Sequence, residues 1–504
     1  MTTILKVSQI RTTSAIISLF TILAACGLAV TIAYTPWEPY FLIATALVLL
    51  ITLTSAGTVF YLLMCKQIII QPITIYLATC FGYVTSAIFL MNGGQSRSYA
   101  YYLTSAELPH FVKALFYVWL GITCYIVAYL MTAQKQIKDV DNSSHYEVST
   151  PKLAIIIISL AILGFTGYFF FVQSSGGLRY LAQNIYARNS LRTTEYYRAL
   201  FQLTMVATWI WFAYDKHALQ RLFFWPLALT VLVALLSLGN RGVVILYVIS
   251  FIVLHIVVKG KNENTLLPKN LISWLRKTPL LLLLAAFIIV VMFGMLAWRE
   301  ASFTAKSKTG DITVDLISEK LLRYNNMELL LSTFLGQSNL AGIESLSTII
   351  EFVPSDIPYL YGQTFYWTVM MPIPRFIWPD KPTTLGIFIK RAIIDSDATG
   401  GGVPPTWIGE LYINFGVLGI VCGNFLFGFI SARIYNIYRR HFHSKRIFFR
   451  LLYSFYSIYF VFYLTKTEFR TALYRFLVIV FVLWIVDFVI RKRQTKAKQL
   501  LIYA

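Results

Sequence analysis

Charge is scarce in this chain. Only 13% of its 504 residues are Asp, Glu, Lys or Arg, 58% are hydrophobic, and mean hydropathy is +0.67. A soluble chain carries about a quarter charged residues, so this composition excludes an ordinary soluble domain. Cysteine is scarce too. The five cysteines (26, 65, 80, 124, 422) all lie in or beside apolar runs, which excludes a disulfide framework and Cys-based metal sites. No Walker-type glycine loop occurs, so the chain is no ATP motor. Its six histidines are scattered, without the His/Glu cluster that a zinc hydrolase needs. The pairs Asp139/Asp141 and Asp395/Asp397 have a spacing frequent by chance, and no metal is assigned to them. No internal repeat is present.

What the chain has is long apolar runs. Twelve spans are expected at 15–35, 40–64, 68–91, 111–133, 153–173, 199–214, 222–239, 243–258, 279–298, 406–432, 450–465 and 471–490. Most approach the ~20 residues that cross a hydrocarbon core. Basic residues pile up on every second connection: Lys6 and Arg11, Lys66, Lys135 to Lys152, Lys216 and Arg221, Lys259 to Lys277, Arg433 to Arg450, and Arg491 to Lys498. The positive-inside rule makes those connections and both termini cytoplasmic. Most acidic residues then fall outside. Insertion topology and attraction to anionic lipid account for the net charge of +21, and nucleic acid is not expected as a partner. Leu23-Ala24-Ala25-Cys26 has the form of a lipoprotein cleavage box, but the apolar run continues past it to Tyr34, so it is read as part of the first span.

The reading divides the chain into three. Residues 1–298 carry spans one to nine with an outside segment at 174–198. Residues 299–405 form a large outside loop, and 406–504 carry the last three spans and a basic tail. The segment 174–198 carries Arg179, Arg188 and Arg192 among tyrosines, with spacing that suits a short amphipathic helix. The large loop is rich in proline from Pro354 to Pro405, which predicts an extended, ordered path. Its aromatics Tyr359, Tyr361, Tyr366, Trp367 and Trp378 suit either the membrane interface or stacking on sugar rings.

Arginines sit tightly against outer span ends: Arg241 in a four-residue turn, Arg299 after the ninth span, and Arg470 between the last two. Ionisable groups at membrane depth face a bundle interior or a water-filled cavity. Several gathered outside, against the positive-inside trend, point to a shared anionic ligand. Guanidinium matches phosphate bidentately, so a lipid diphosphate is expected.

Three stretches then come together: Ser237-Leu238-Gly239-Asn240-Arg241-Gly242; the run Met371-Pro372-Ile373-Pro374-Arg375-Phe376-Ile377-Trp378-Pro379-Asp380-Lys381-Pro382; and Gly409-Glu410-Leu411-Tyr412-Ile413-Asn414-Phe415-Gly416. In this order the chain resembles the bacterial oligosaccharide repeat-unit polymerases, the Wzy-type O-antigen and capsule polymerases. The resemblance implies an all-α, GT-C-like glycosyltransferase of the bacterial inner membrane, with short helices in its outside loop. It would pass a growing glycan from a polyprenyl-diphosphate carrier to a new lipid-linked repeat unit outside the membrane, with no cofactor or metal. Its partners would be polyprenyl-diphosphate-linked oligosaccharides, the bilayer and a chain-length regulator.

The leaving diphosphate develops negative charge that fixed cations stabilise. Arg241, Arg299, Arg375, Lys381, Arg391 and Arg470 are the residues expected to meet it, with Arg375 at the reacting centre. Glu410 is the expected general base, with Asp380 second. Arg179, Arg188, Arg192, Trp378 and Tyr412 are expected to contact substrate. A flippase for the same lipid-linked sugar and an O-antigen ligase are the competing readings.

Overall fold

A computed structural model of the chain describes residues 39–64, 71–91, 107–133, 147–148, 150–177, 194–215, 222–237, 241–259, 342–371, 373, 377–378, 381–393, 403–441 and 447–492. Apart from a two-residue bridge, regular structure among them is helical. The first seven helices are α1 (Pro39–Met64), α2 (Pro72–Met91), α3 (Leu108–Ala133), α4 (Thr150–Ser174), α5 (Thr194–Tyr214), α6 (Phe224–Ser237) and α7 (Arg241–Lys259). Three short helices follow in the large loop: α8 (Ile343–Phe352), α9 (Gln363–Val369) and α10 (Leu385–Ile393). Then come α11 (Thr406–Arg440), α12 (Ile447–Phe455) with a π-helical turn at Tyr456–Val461, α13 (Phe462–Lys466) and α14 (Phe469–Ile490).

Among the described residues, six stretches are long and apolar enough to cross a bilayer: Pro39–Leu62, Leu108–Ala133, Thr150–Ser174, Thr406–Arg440, Ile447–Lys466 and Phe469–Ile490. Four shorter apolar helices, Pro72–Ile88, Ala199–Tyr214, Phe224–Ser237 and Val243–Val258, accompany them. Every expected span within the described residues coincides with a helix. The expected spans 15–35 and 279–298 lie outside the described residues, as do the amphipathic helix within 174–198 and both Asp-x-Asp pairs.

Contacts sort the helix ends. Glu147–Val148 pairs antiparallel with Arg491–Lys492. Lys152 Nζ donates to Val489 O at 3.3 Å, Arg450 to Val258 O at 2.9 Å, and Asn436 to Thr132 O at 3.0 Å. All belong to helix ends that border the basic connections, so those connections share one end of the bundle. Close approach holds the helices together in a medium that offers little hydrophobic drive between them. A Cβ on Gly428 of α11 would collide with Tyr125 O of α3. Polar side chains tie the same helices: Tyr76 donates to Asn424 Oδ1 at 2.9 Å, and Gln71 bridges Tyr435 at 3.2 Å and Tyr129 at 3.1 Å.

The prolines of the outer loop punctuate helices where an extended path was expected. Pro354 and Pro358 follow α8, Pro382 precedes α10, and Pro404 and Pro405 precede α11. Each sits where a missing N–H leaves no intrahelical bond unmade.

The tenth expected span also differs from its sequence reading. It reaches Arg440 and is broken at Gly416, whose φ of 62° and ψ of −146° are not helical. A straight 35-residue helix would run about 52 Å, well beyond a ~30 Å hydrocarbon core. The break folds 406–415 back, so that Leu411 lies against Gly419 and Gly423. In a continuous helix residues 411 and 423 would stand about 18 Å apart.

Gly416 is required twice over: an L side chain is strained at that φ, and its Cβ would stand 3.1 Å from Tyr359 Oη. Gly416→Ala is expected to destabilise the fold by about 1–3 kcal/mol, read as a lower melting temperature in detergent. Gly57→Ala is the control, because a Cβ there meets nothing within 4 Å. Equal melting of the two variants would contradict the bend.

Candidate functional site

The break at Gly416 strips two carbonyls, those of Ile413 and Asn414, of their usual donors four residues on. The outer loop replaces them. Leu360 N donates to Ile413 O at 2.9 Å and Tyr361 N to Asn414 O at 3.1 Å. The Asn414 side chain completes the join. Its Oδ1 accepts Gly362 N at 2.9 Å, and its Nδ2 donates to Thr364 Oγ1 at 2.9 Å and Glu410 O at 2.7 Å. Tyr412, buried, donates to Val353 O at 3.2 Å. This wiring holds Tyr361 at φ 44° and Gly362 at φ 90°. Glycine tolerates that region; for a tyrosine it costs about 1–3 kcal/mol.

Glu410 lies just past the first turn of the folded-back helix with no exposed surface. Its Oε2 accepts Phe469 N, the first amide of α14, at 2.5 Å. Its Oε1 has no hydrogen-bond partner among the described residues. Thr364, Glu468 and Arg470 are near enough to interact with it. Glu468 repeats the device one step outward. Its Oε2 accepts Leu385 N, the first amide of α10, at 2.6 Å. Its Oε1 takes Thr471 Oγ1 at 2.9 Å and an ion pair from Arg470 Nε at 3.4 Å. A carboxylate at a helix N-terminus satisfies an orphan amide and complements the dipole. Two acids thus lock α11, α14 and α10 together at one rim of the bundle.

Lys381 uses its ammonium on the carbonyls of Met371 and Ile373, and Arg470 reaches Pro382 O at 3.5 Å. Both cations brace the loop. Two further rim cations lie over rings: Lys466 at 4.7 Å from the Phe462 centroid and Arg475 at 5.0 Å from that of Tyr463. Such contacts keep cations at an apolar boundary. Arg391 is half-buried in the last turn of α10, about 9 Å along the axis from the Leu385 cap. Trp378 is half-buried beside the Lys381 turn, whose N–H it accepts at 3.2 Å. Arg241 is the first residue of α7. Arg179, Arg188, Arg192, Arg299, Arg375 and Asp380 lie outside the described residues.

Below this rim a cavity of about 1010 Å³ opens along α11, the π turn, α13 and α14. Trp407, Leu411 and Phe469, which flank Glu410, line its upper part with Tyr361 and Phe365. Its floor descends past Leu426 and Ile430 to Ile434, opposite Tyr456 and Phe476. From Leu418 to Ile434 is about 24 Å of helix, most of a hydrocarbon core. Leu418 is 74% exposed and Leu426 57%, so the groove is open sideways. A second hollow of about 800 Å³ between α4, α5 and α6 is lined by Ile157, Phe165 and Trp211 among others, with no ionisable side chain among the described residues that line it.

A family model for O-antigen polysaccharide polymerase Wzy matches residues 14–496, nearly the whole chain. The chain belongs to that family. Comparisons with curated proteins and with solved structures find no match. Membership gives the chain a repeat-unit polymerase role in polysaccharide biosynthesis, on lipid-linked oligosaccharides in a membrane.

Glu410, Tyr412, Lys381, Trp378 and Arg470 were singled out from sequence, and all lie in or beside this rim. Tyr412, Lys381 and Arg470 hold backbone or a carboxylate there. Asn414, Thr364 and Glu468 were not among the expected site residues. Asn414 was visible inside the Gly409–Gly416 run, but nothing in the run marks it as the organiser of a bend. Asn414→Ala strips the partner from Gly362 N–H and from Thr364. A cost of about 1–3 kcal/mol is expected, with faster proteolysis between residues 353 and 371. An unchanged melting temperature and unchanged cleavage would refute this assignment.

Proposed function

We propose that the chain joins two polyprenyl-diphosphate-linked glycans at the outer face of the bacterial inner membrane. In this reading it crosses twelve times in a GT-C-like arrangement, with both termini in the cytoplasm. The oligoprenyl chain of one substrate lies in the groove along α11, its diphosphate at the rim. The hydroxyl oxygen of the incoming repeat unit attacks the anomeric carbon of the growing chain. That C–O bond to the diphosphate breaks, and the electron pair leaves on the diphosphate oxygen. Glu410 takes the hydroxyl proton. Arg241, Arg299 and Arg375 meet the charge that develops on the leaving group, where preorganised cations act most strongly. Lys381 and Arg470 set the shape of the loop that carries Arg299 and Arg375, and Asp380 stands in reserve as a second carboxylate. Arg179, Arg188 and Arg192 serve the second carrier.

One observation carries the reading: a fully buried carboxylate, one oxygen held by Phe469 N and the other without a hydrogen-bond partner among the described residues, at the head of a long apolar groove open to the side. A positioned base of this kind contributes about 10²–10⁴-fold. The side chain is covered in the unliganded fold, so substrate entry displaces the Thr364 turn.

The test is turnover in liposomes with lipid-linked repeat units as the sole substrate and no nucleotide sugar. Wild type is expected to yield a ladder of polymers. Glu410→Gln is expected to slow it by about 10²–10⁴-fold. Arg375→Ala is expected to add about 2.7–4 kcal/mol to the barrier and to leave single-repeat lipid unconsumed. A ladder of normal length from Glu410→Gln would remove the base from the mechanism. Lipid-linked sugar moving between leaflets without polymer would favour a transporter.

A further inference from the structure

We propose that Tyr361 is the stacking platform for the sugar ring attached to the diphosphate. The inference rests on the lipid-diphosphate reading above and adds a substrate contact to it. Tyr361 is 77% exposed although it lines the mouth of the groove. Its backbone is held at φ 44°, a conformation that suits glycine or asparagine and that a bulky ring makes strained. Strain of this kind persists where the surroundings over-determine it, and it gathers at ligand clamps. The surroundings here do so: Tyr361 N is bound to Asn414 O and the next amide to Asn414 Oδ1.

A structural role for the ring is poorly served by this geometry. Its one ring neighbour among the described contacts is Tyr359, edge-on at 6.3 Å. The aromatic face is thereby left for a ligand, with a polar hydroxyl at its tip. Asn414 also binds Glu410 O through Nδ2. One asparagine therefore ties the platform to the backbone turn that carries the carboxylate. A glycan whose lipid lies in the groove must pass Tyr361 as it leaves the membrane. The first ring beyond the diphosphate is the one that meets it.

The experiment measures binding to purified protein in nanodiscs. The probes are a short-chain polyprenyl diphosphate bearing one N-acetylglucosamine and the same lipid without sugar. Wild type is expected to bind the glycosylated lipid at least tenfold more tightly. Tyr361→Gly and Tyr361→Asn accept the backbone conformation and lack the ring. Both are expected to lose that tenfold preference, to bind the bare lipid as wild type does, and to melt at or above the wild-type temperature. Tyr361→Phe is expected to keep the preference within threefold. The platform is overturned if the Gly and Asn variants retain the preference, if wild type shows none, or if the two variants weaken both probes equally. Binding of neither probe by the wild type would instead overturn the lipid-diphosphate reading on which the platform stands.

Discussion

A helix broken inside a membrane protein must find new partners for the carbonyls it frees, because lipid supplies none. At Gly416 those partners are the amides of Leu360 and Tyr361. This exchange makes the outer connection part of the membrane domain. Once residues 360 and 361 are bound to 413 and 414, the chain on either side is directed. Gly362 N–H is brought to Asn414 Oδ1, α9 is placed beside Glu410 through Thr364, and Tyr412 is drawn to the end of α8. The same bend moves Leu411 away from the helix axis and against Gly419 and Gly423. That leaves the face from Leu418 to Ile434 uncovered as the wall of the groove.

The two rim carboxylates extend the principle from carbonyls to amides. Glu410 and Glu468 each accept the first N–H of a helix other than their own. They differ in how fully their oxygens are engaged. Glu468 has both oxygens engaged, one of them with Arg470, and reads as a clasp. Glu410 has one oxygen engaged and one without a hydrogen-bond partner among the described residues, which suits a group that accepts a proton. The sequence alone could not separate them, since both are acids beside an outer helix end.

Much of the bundle was legible because hydropathy runs report apolar helices directly; sidedness rests on the basic connections and stays an expectation. Gly416 was legible as a residue and not as a bend. Apolar and aromatic side chains run through it from Trp407 to Phe427, so the pattern reads as one span, and a positive φ leaves no trace in composition. The prolines misled in the opposite direction: they mark helix boundaries here, and their density hid where α8, α9 and α10, short helices implied by the resemblance, fall between them. Lys381 shows the limit for charged residues. Its place in a Pro-x-Lys-Pro run suggested an anion contact, yet its ammonium binds the carbonyls of Met371 and Ile373, and only the fold of that turn reveals it. The arginines of 174–198, with Arg299 and Arg375, stay where the sequence put them, as expectations.

The central claim is that the groove beside Gly416 holds an isoprenoid chain with its diphosphate at the Glu410 rim. The most direct measurement is photolabelling in membranes with a polyprenyl diphosphate that carries a photoreactive group along the chain, mapped by mass spectrometry. The account predicts labels within 418–434 and 456–476, suppressed by excess lipid-linked repeat unit. Labels confined to 157–170, or spread over all lipid-facing helices and indifferent to competitor, would contradict it.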